Sequence, residues 1–155
     1  YKPSEYAAQT GLAMARLLHA AGVPGHAFIT LIGGGEVGAA LLAQKIDGLF
    51  FTGSHATGAR IMEALGPRLV KVQLELGGKD PTYVCDDANP RTAAESLADG
   101  AMYNTGQSCC SVERIYVHES IYDAFVTAFV ATVKTFTLGD PMSDGTYIGA
   151  VTRAP

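Results

Sequence analysis

Two hydrophobic periods take turns along this chain. Met14, Leu17, Leu18 and Ala21 recur at helical spacing and predict an amphipathic helix that Gly22 and Pro24 close near Ala21. The β-branched and aromatic run Phe28-Ile29-Thr30-Leu31-Ile32 predicts a buried strand, Gly33-Gly34-Gly35 a tight turn, and Glu36 to about Gln44 a short helix. Gly48 to Phe51 then reads as a strand. Ser54 is the cap of a helix with Ile61, Met62 and Leu65 on its apolar stripe, and Gly66-Pro67 stops it. From Val70 to Leu76 the period changes to two: Val70, Val72, Leu74 and Leu76 alternate with Lys71, Gln73 and Glu75, which places Glu75 on the polar side of a strand.

After Gly77-Gly78 the alternation restarts. Thr82 to Cys85 predicts a strand. A helix from the cap Asn89 and Pro90 shows Ala94, Leu97, Ala98 and Ala101 on one face, followed by a loop from Gly106 to Ser111. Val112 to Val117 is the next strand, and Ser120 with Asp123 reads as a capping box for a helix carrying Val126, Phe129, Val130 and Val133. Strand and helix alternating in this way predict an α/β fold with a largely parallel sheet. The glycine pair at 77 and 78 is the natural domain boundary, dividing the chain into 1–76 and 77–155.

Composition narrows the function classes. With 155 residues, 48% hydrophobic and 17% charged, the chain reads as a soluble globular protein. A net charge of −4 provides no basic field for a polyanion, which argues against a nucleic-acid partner. No apolar run approaches the ~18 residues of a membrane span, so no membrane partner is expected. Three cysteines, two of them adjacent, do not describe a disulfide framework, and no Cys/His spacing suits a metal. Reducing surroundings fit, either cytoplasm or mitochondrial matrix. His19, His26, His55 and His118 read as surface or loop residues.

The chemistry concentrates in two segments. Gly106-Gln107-Ser108-Cys109 sets a thiol in a polar, glycine-hinged loop between a helix and a strand, and Leu74-Glu75-Leu76-Gly77-Gly78-Lys79 puts a carboxylate at a strand end before two glycines. A thiol and a carboxylate suffice for covalent catalysis followed by hydrolysis. An ordinary cysteine, with a pKa near ~8.5, is mostly protonated at neutral pH. No His or Lys adjoins Cys109 in sequence, and the C-terminal end of the preceding helix opposes a thiolate. A third segment, Gly53-Ser54 with Gly58, is a strand-to-helix junction of the kind that offers N–H groups and a helix dipole to an anion, although alone it means no more than capping. Cys85 and Cys110 read as packing residues and Lys79 as structural.

In their wording and order these segments resemble the aldehyde dehydrogenase superfamily, where a Glu-Leu-Gly-Gly-Lys element carries the general base and a Gly-Gln-x-Cys element the nucleophile. Phe51-Thr52-Gly53-Ser54 with Gly58 is similar to the family's cofactor pyrophosphate turn, and Lys2-Pro3-Ser4-Glu5 to its adenosine-ribose contact strand. The resemblance runs from end to end of the chain. It implies parts of two three-layer α/β domains: an atypical Rossmann-like cofactor domain over 1–76 and a catalytic domain from 77 onward.

What the resemblance implies about activity is oxidation of a small aldehyde to a carboxylic acid. Cys109 would be the nucleophile, Glu75 the base that activates the hydrolytic water, and Lys2, Glu5, Gly53, Ser54, Gly58 and Leu76 the cofactor contacts. Bound oxidised cofactor, with its cationic ring, would help activate Cys109. NAD is favoured over NADP, because a carboxylate at Glu5 accepts from ribose hydroxyls and repels a 2′-phosphate. Ser111, where many relatives have alanine or glycine, is a departure that threatens loop packing more than chemistry. Retention of Glu75 favours hydrolysis over acyl transfer to CoA. The rival reading is a catalytically idle relative or truncated product kept as a structural or binding protein. The chain starts without methionine and ends on Arg153-Ala154-Pro155, which reads as mid-loop in a longer protein, one that the family's habit would make a homodimer or homotetramer. The family's oxyanion asparagine and nicotinamide-ribose glutamate are then expected outside the chain.

Overall fold

The computed structural model describes residues 1–152; Arg153–Pro155, read above as loop, lie outside the described residues. The chain divides into two compact units, Tyr1–Glu75 and a second from Leu76 onward, each built on one strand–helix–strand element with parallel strands.

In the first unit, Ser4 caps a 3-10 turn at Glu5–Ala7 that leads into α1, Ala8–Ala20. A second helix, α2, spans Gly35–Leu42. The parallel pair is β1, Gly48–Thr52, and β2, Lys71–Glu75, joined through α3, His55–Leu65. Ser54 caps α3 by accepting from the Thr57 N–H at 3.3 Å, and Gly58, Ile61 and Leu65 form its buried face. The alternation expected of β2 holds, with Val72 and Leu74 half-buried and Lys71, Gln73 and Glu75 exposed.

Two expectations fail here for one physical reason. Phe28–Ile32 forms no strand. Among the described residues its backbone bonds only with Tyr1, whose ammonium donates to the Ile29 carbonyl and whose carbonyl accepts from the Leu31 N–H, and Ile29, Leu31 and Ile32 are exposed rather than buried. On α1 the buried positions are Gly11 and Ala15, while Met14 and Leu17 of the predicted stripe lie at the surface. Apolar residues have no buried face to occupy where no second layer covers them, and Phe50 on β1, 89% exposed, is the extreme case.

The second unit pairs β3, Asp80–Val84, with β4, Val112–Val117, through α4, Pro90–Met102. β3 starts earlier than predicted, with Pro81 at an irregularity in the ladder where its missing N–H is tolerated. Asn89 caps α4, accepting from the Arg91 and Thr92 N–H groups at 3.1 and 3.0 Å. Helix α5, Tyr122–Val133, packs on α4, and the core is Val84, Ala94 and Phe125, flanked by Leu97, Ile115 and Phe129. The predicted capping box is absent: Ser120 and Asp123 do not bond each other's backbone. A 3-10 turn at Glu119–Ile121 leads into α5 instead, capped by the His118 ring accepting from the Ser120 N–H. Phe125 supplies the buried face of α5, whereas Val126 and Val130 are exposed.

The accessible surface is 10873 Å². Two independent units of half this mass would expose about 9,000 Å² together, so the chain leaves an unusual area uncovered.

Candidate active site

The ladder between β1 and β2 aligns Thr52 with Glu75, and the Gly53 N–H donates to the Glu75 carbonyl at 3.0 Å. The pyrophosphate-like turn and the candidate base thus leave the sheet side by side, at the carboxyl ends of parallel strands, where open α/β sheets bind their ligands. A Cβ at Gly53 would lie 2.4 Å from the tip of the Phe51 ring, so that ring would have to shift to admit one. Beyond it, Ser54 accepts from the Thr57 N–H with its hydroxyl and from the Gly58 N–H with its carbonyl, which leaves the His55 and Ala56 N–H groups of α3 without a partner among the described residues. This exposed, glycine-flanked helix start suits a phosphate group.

Glu75 is exposed. Its carboxylate accepts from the Gln73 side-chain amide at 2.8 Å. Gln73 was missed in the sequence reading, although residues two apart on a strand share a face and the alternation around Glu75 contained that signal.

Lys2 donates to the Pro3 and Gly33 carbonyls at 2.7 and 2.9 Å, which ties the start of the chain to the turn before α2 and leaves one of three ammonium donors for a ligand. Glu36 closes the same turn by accepting from the Gly34 N–H at 2.9 Å. Hydrogen bonds from its own N–H and from Gly34, with the Lys2 charge adding to them, hold its carboxyl below the ordinary range. Glu5 opens the 3-10 turn, exposed, and Leu76 is half-buried.

In the second unit α4 ends in a tight reversal. Asn104, Thr105 and Gly106 follow one another with φ of 49°, 60° and 71°, three consecutive residues in the left-handed region. For the β-branched Thr105 this is costly and persists only under constraint. The constraint centres on Gln107. Its backbone N–H and side-chain amide both donate to the Asn104 carbonyl, its own carbonyl accepts from the Asn104 amide, and its side-chain oxygen accepts from the Thr152 N–H at 2.8 Å.

Cys109 lies just beyond, exposed. Among the described residues no group accepts from its backbone N–H, so that donor is available. The carbonyl of Cys109 rests against Gly78, where an added Cβ would approach it to 2.8 Å. Ser111 is buried and donates back to the Ala101 carbonyl at 3.0 Å, occupying part of the helix end that otherwise opposes a thiolate.

Cys85 and Cys110 are not packing residues: both are exposed. The Cys110 sulfur lies 3.3 Å from the Ser108 hydroxyl and 3.2 Å from that of Tyr103, and these two also bond each other. The Ser108 bond first, then that of Tyr103, pulls the Cys110 thiol below its ordinary pKa, while the Cys110 bond pushes Tyr103 up. Nothing in the spacing announced Tyr103, which reaches the loop only because the left-handed turn folds it back. Lys79 pairs with Glu113 and ties the start of β3 to β4. Among the described residues no cluster of His, Cys, Asp and Glu could hold a metal ion, and no helix is long and apolar enough to cross a membrane.

Residues 1–155 match the sequence model of the aldehyde dehydrogenase family throughout. The chain belongs to that family. It is 40% identical to a hydroxyisobutyraldehyde dehydrogenase of Mycolicibacterium austroafricanum over 96% of its own length and 30% of the relative's. It superposes on γ-glutamyl-γ-aminobutyraldehyde dehydrogenase from Burkholderia cenocepacia with a TM-score of 0.94 at 35% identity, covering 99% of this chain and 32% of that one. Aldehyde dehydrogenase C from Pseudomonas syringae, in a mutant form complexed with NAD+ and octanal, matches with a TM-score of 0.94 at 33% identity, over 99% and 32% of the two chains. The chain thus spans about a third of the length of the relatives it matches.

Proposed function

We propose that this segment carries the nucleophile, the hydrolytic base and the pyrophosphate turn of an NAD(P)-dependent aldehyde dehydrogenase. The first unit holds the cofactor and the second the nucleophile, and Gly77-Gly78 follow directly after the junction between them. The single observation that carries this reading is the exposed Cys109, with an available backbone N–H, on a loop held under constraint by Asn104 and Gln107.

The Cys109 thiolate attacks the aldehyde carbon, and its backbone N–H donates to the oxygen that becomes negative. A nicotinamide cofactor held by the first unit would supply the hydride acceptor that lets the adduct on Cys109 become a thioester. Glu75, whose oxygen is held by Gln73, takes a proton from the water that attacks the thioester, and the acid leaves. The residues fit a dinucleotide: Gly53 and the first turn of α3 receive the pyrophosphate, and the remaining Lys2 donor with Glu5 receives the adenosine ribose. Glu5 favours NAD. The structure with NAD+ and octanal supports a nicotinamide cofactor and an aldehyde for a relative, and the uninterrupted family match favours a working enzyme over an idle one.

Kinetics in the complete protein test the assignment. Cys109→Ala should abolish NADH formation from propanal, and Glu75→Gln should leave a pre-steady-state burst while slowing turnover. Turnover retained by Cys109→Ala would withdraw the reading.

A further inference from the structure

Gly78 has no conformational reason to be glycine, since its φ lies outside the left-handed region, and Gly77 beside it has open space where a Cβ would stand. At Gly78 a Cβ would meet the Cys109 carbonyl oxygen at 2.8 Å and an Asp80 carboxylate oxygen at 2.6 Å. The two contacts differ in kind. Asp80 is exposed and its side chain can turn away, whereas the Cys109 carbonyl belongs to the peptide that joins Cys109 to Cys110, and it moves only if the nucleophile loop moves. That loop has little slack, because Gln107 fixes it on one side and Ser111, bonded to Ala101, on the other.

We infer that Gly78 is a positioning residue for the nucleophile: its missing side chain is the seat on which the Cys109 carbonyl rests. The inference builds on the assignment of Cys109 as nucleophile and gives the second glycine of the Glu75 segment a role of its own. A Cβ at 78 would lift the loop and reorient Cys109, its sulfur and its N–H together.

The test uses the complete protein, with iodoacetamide as probe and peptide mass spectrometry to read each cysteine. Gly78→Ala should change the alkylation rate of Cys109 relative to Cys85 by about threefold or more and lower kcat for propanal by about tenfold or more, as misplacing a reacting group does, with KM for NAD+ unchanged. Gly77→Ala should leave the alkylation ratio unaltered. The double variant Gly78→Ala, Asp80→Ala separates the two contacts: if the Cys109 carbonyl decides, the defect persists, and if Asp80 decides, the ratio recovers and the inference falls. An unchanged ratio in Gly78→Ala also overturns it. Should the variant fail to fold, a crystal structure of the complete wild-type protein takes its place. A Cys109 carbonyl within about 3.4 Å of the position a Cβ would take at Gly78 upholds the seat, and one beyond van der Waals contact refutes it. Activity retained by Cys109→Ala would remove the underlying assignment while leaving the alkylation result to stand for itself.

Discussion

Ser111 donates its hydroxyl proton to the carbonyl of Ala101 at 3.0 Å, with the Gly100 carbonyl sharing it at 3.4 Å. Ser111 is thereby a tie between the Cys109 loop and the end of α4. The last carbonyls of a helix have no partner within it, and here a buried side chain supplies one.

Ser111→Ala should therefore destabilise the complete protein by about 1 kcal/mol, since two inward carbonyls lose a donor that water cannot readily replace. Urea denaturation measures this. Equal midpoints for variant and wild type would mean that the contact contributes nothing.

Ser54 has a structural task and a proposed binding task, and two substitutions separate them. Ser54→Ala should lower stability by about 1 kcal/mol, whereas Ser54→Gly should cost only a few tenths. If the hydroxyl also meets the pyrophosphate, KM for NAD+ should rise in both. A rise confined to the alanine variant would assign the whole effect to the cap.

The Tyr103, Ser108 and Cys110 cluster makes a prediction about pH. Hydrogen bonds that stabilise the thiolate lower the pKa of Cys110, so its alkylation by iodoacetamide should begin at lower pH than that of free N-acetylcysteine. Removing a donor has the opposite sign: in Tyr103→Phe the rate profile of Cys110 should move to higher pH. Superimposable Cys110 profiles in the wild type and in Tyr103→Phe would show that the Tyr103 hydroxyl does not act on the sulfur.

The alternation of periods predicted both strand–helix–strand elements, the caps Ser54 and Asn89, and the strand that ends at Glu75. Each is encoded locally, by a turn residue or by a repeat of two or 3.6. What failed depended on partners distant in sequence. Phe28–Ile32 has a strand's composition and lacks a neighbour to pair with, and Met14 and Leu17 have a helix's spacing and no layer to cover them. At the site, the segments around Cys109 and Glu75 mark both residues as candidates from sequence alone. The Gly78 seat, the left-handed turn and the Tyr103 contact were not legible there, because they arise where the loop folds back on residues that no period links.

The uncovered apolar surface gives a fourth prediction. The 155-residue chain expressed alone should bind a hydrophobic dye and aggregate, because Phe50, Leu69 and Met142 are each 89–90% exposed and, among the described residues, each unit has only a two-stranded sheet. A sharp, reversible thermal transition from a monomer would contradict it.

The most direct test of the central claim is to trap the acyl group. The Glu75→Gln form of the complete protein is mixed with propanal and NAD+, quenched in acid during the burst, digested and mapped by mass spectrometry. The account predicts a propionyl thioester on Cys109 alone, formed in proportion to the NADH burst. An acyl group on Cys110, or a burst of NADH with no acyl-cysteine, would contradict it.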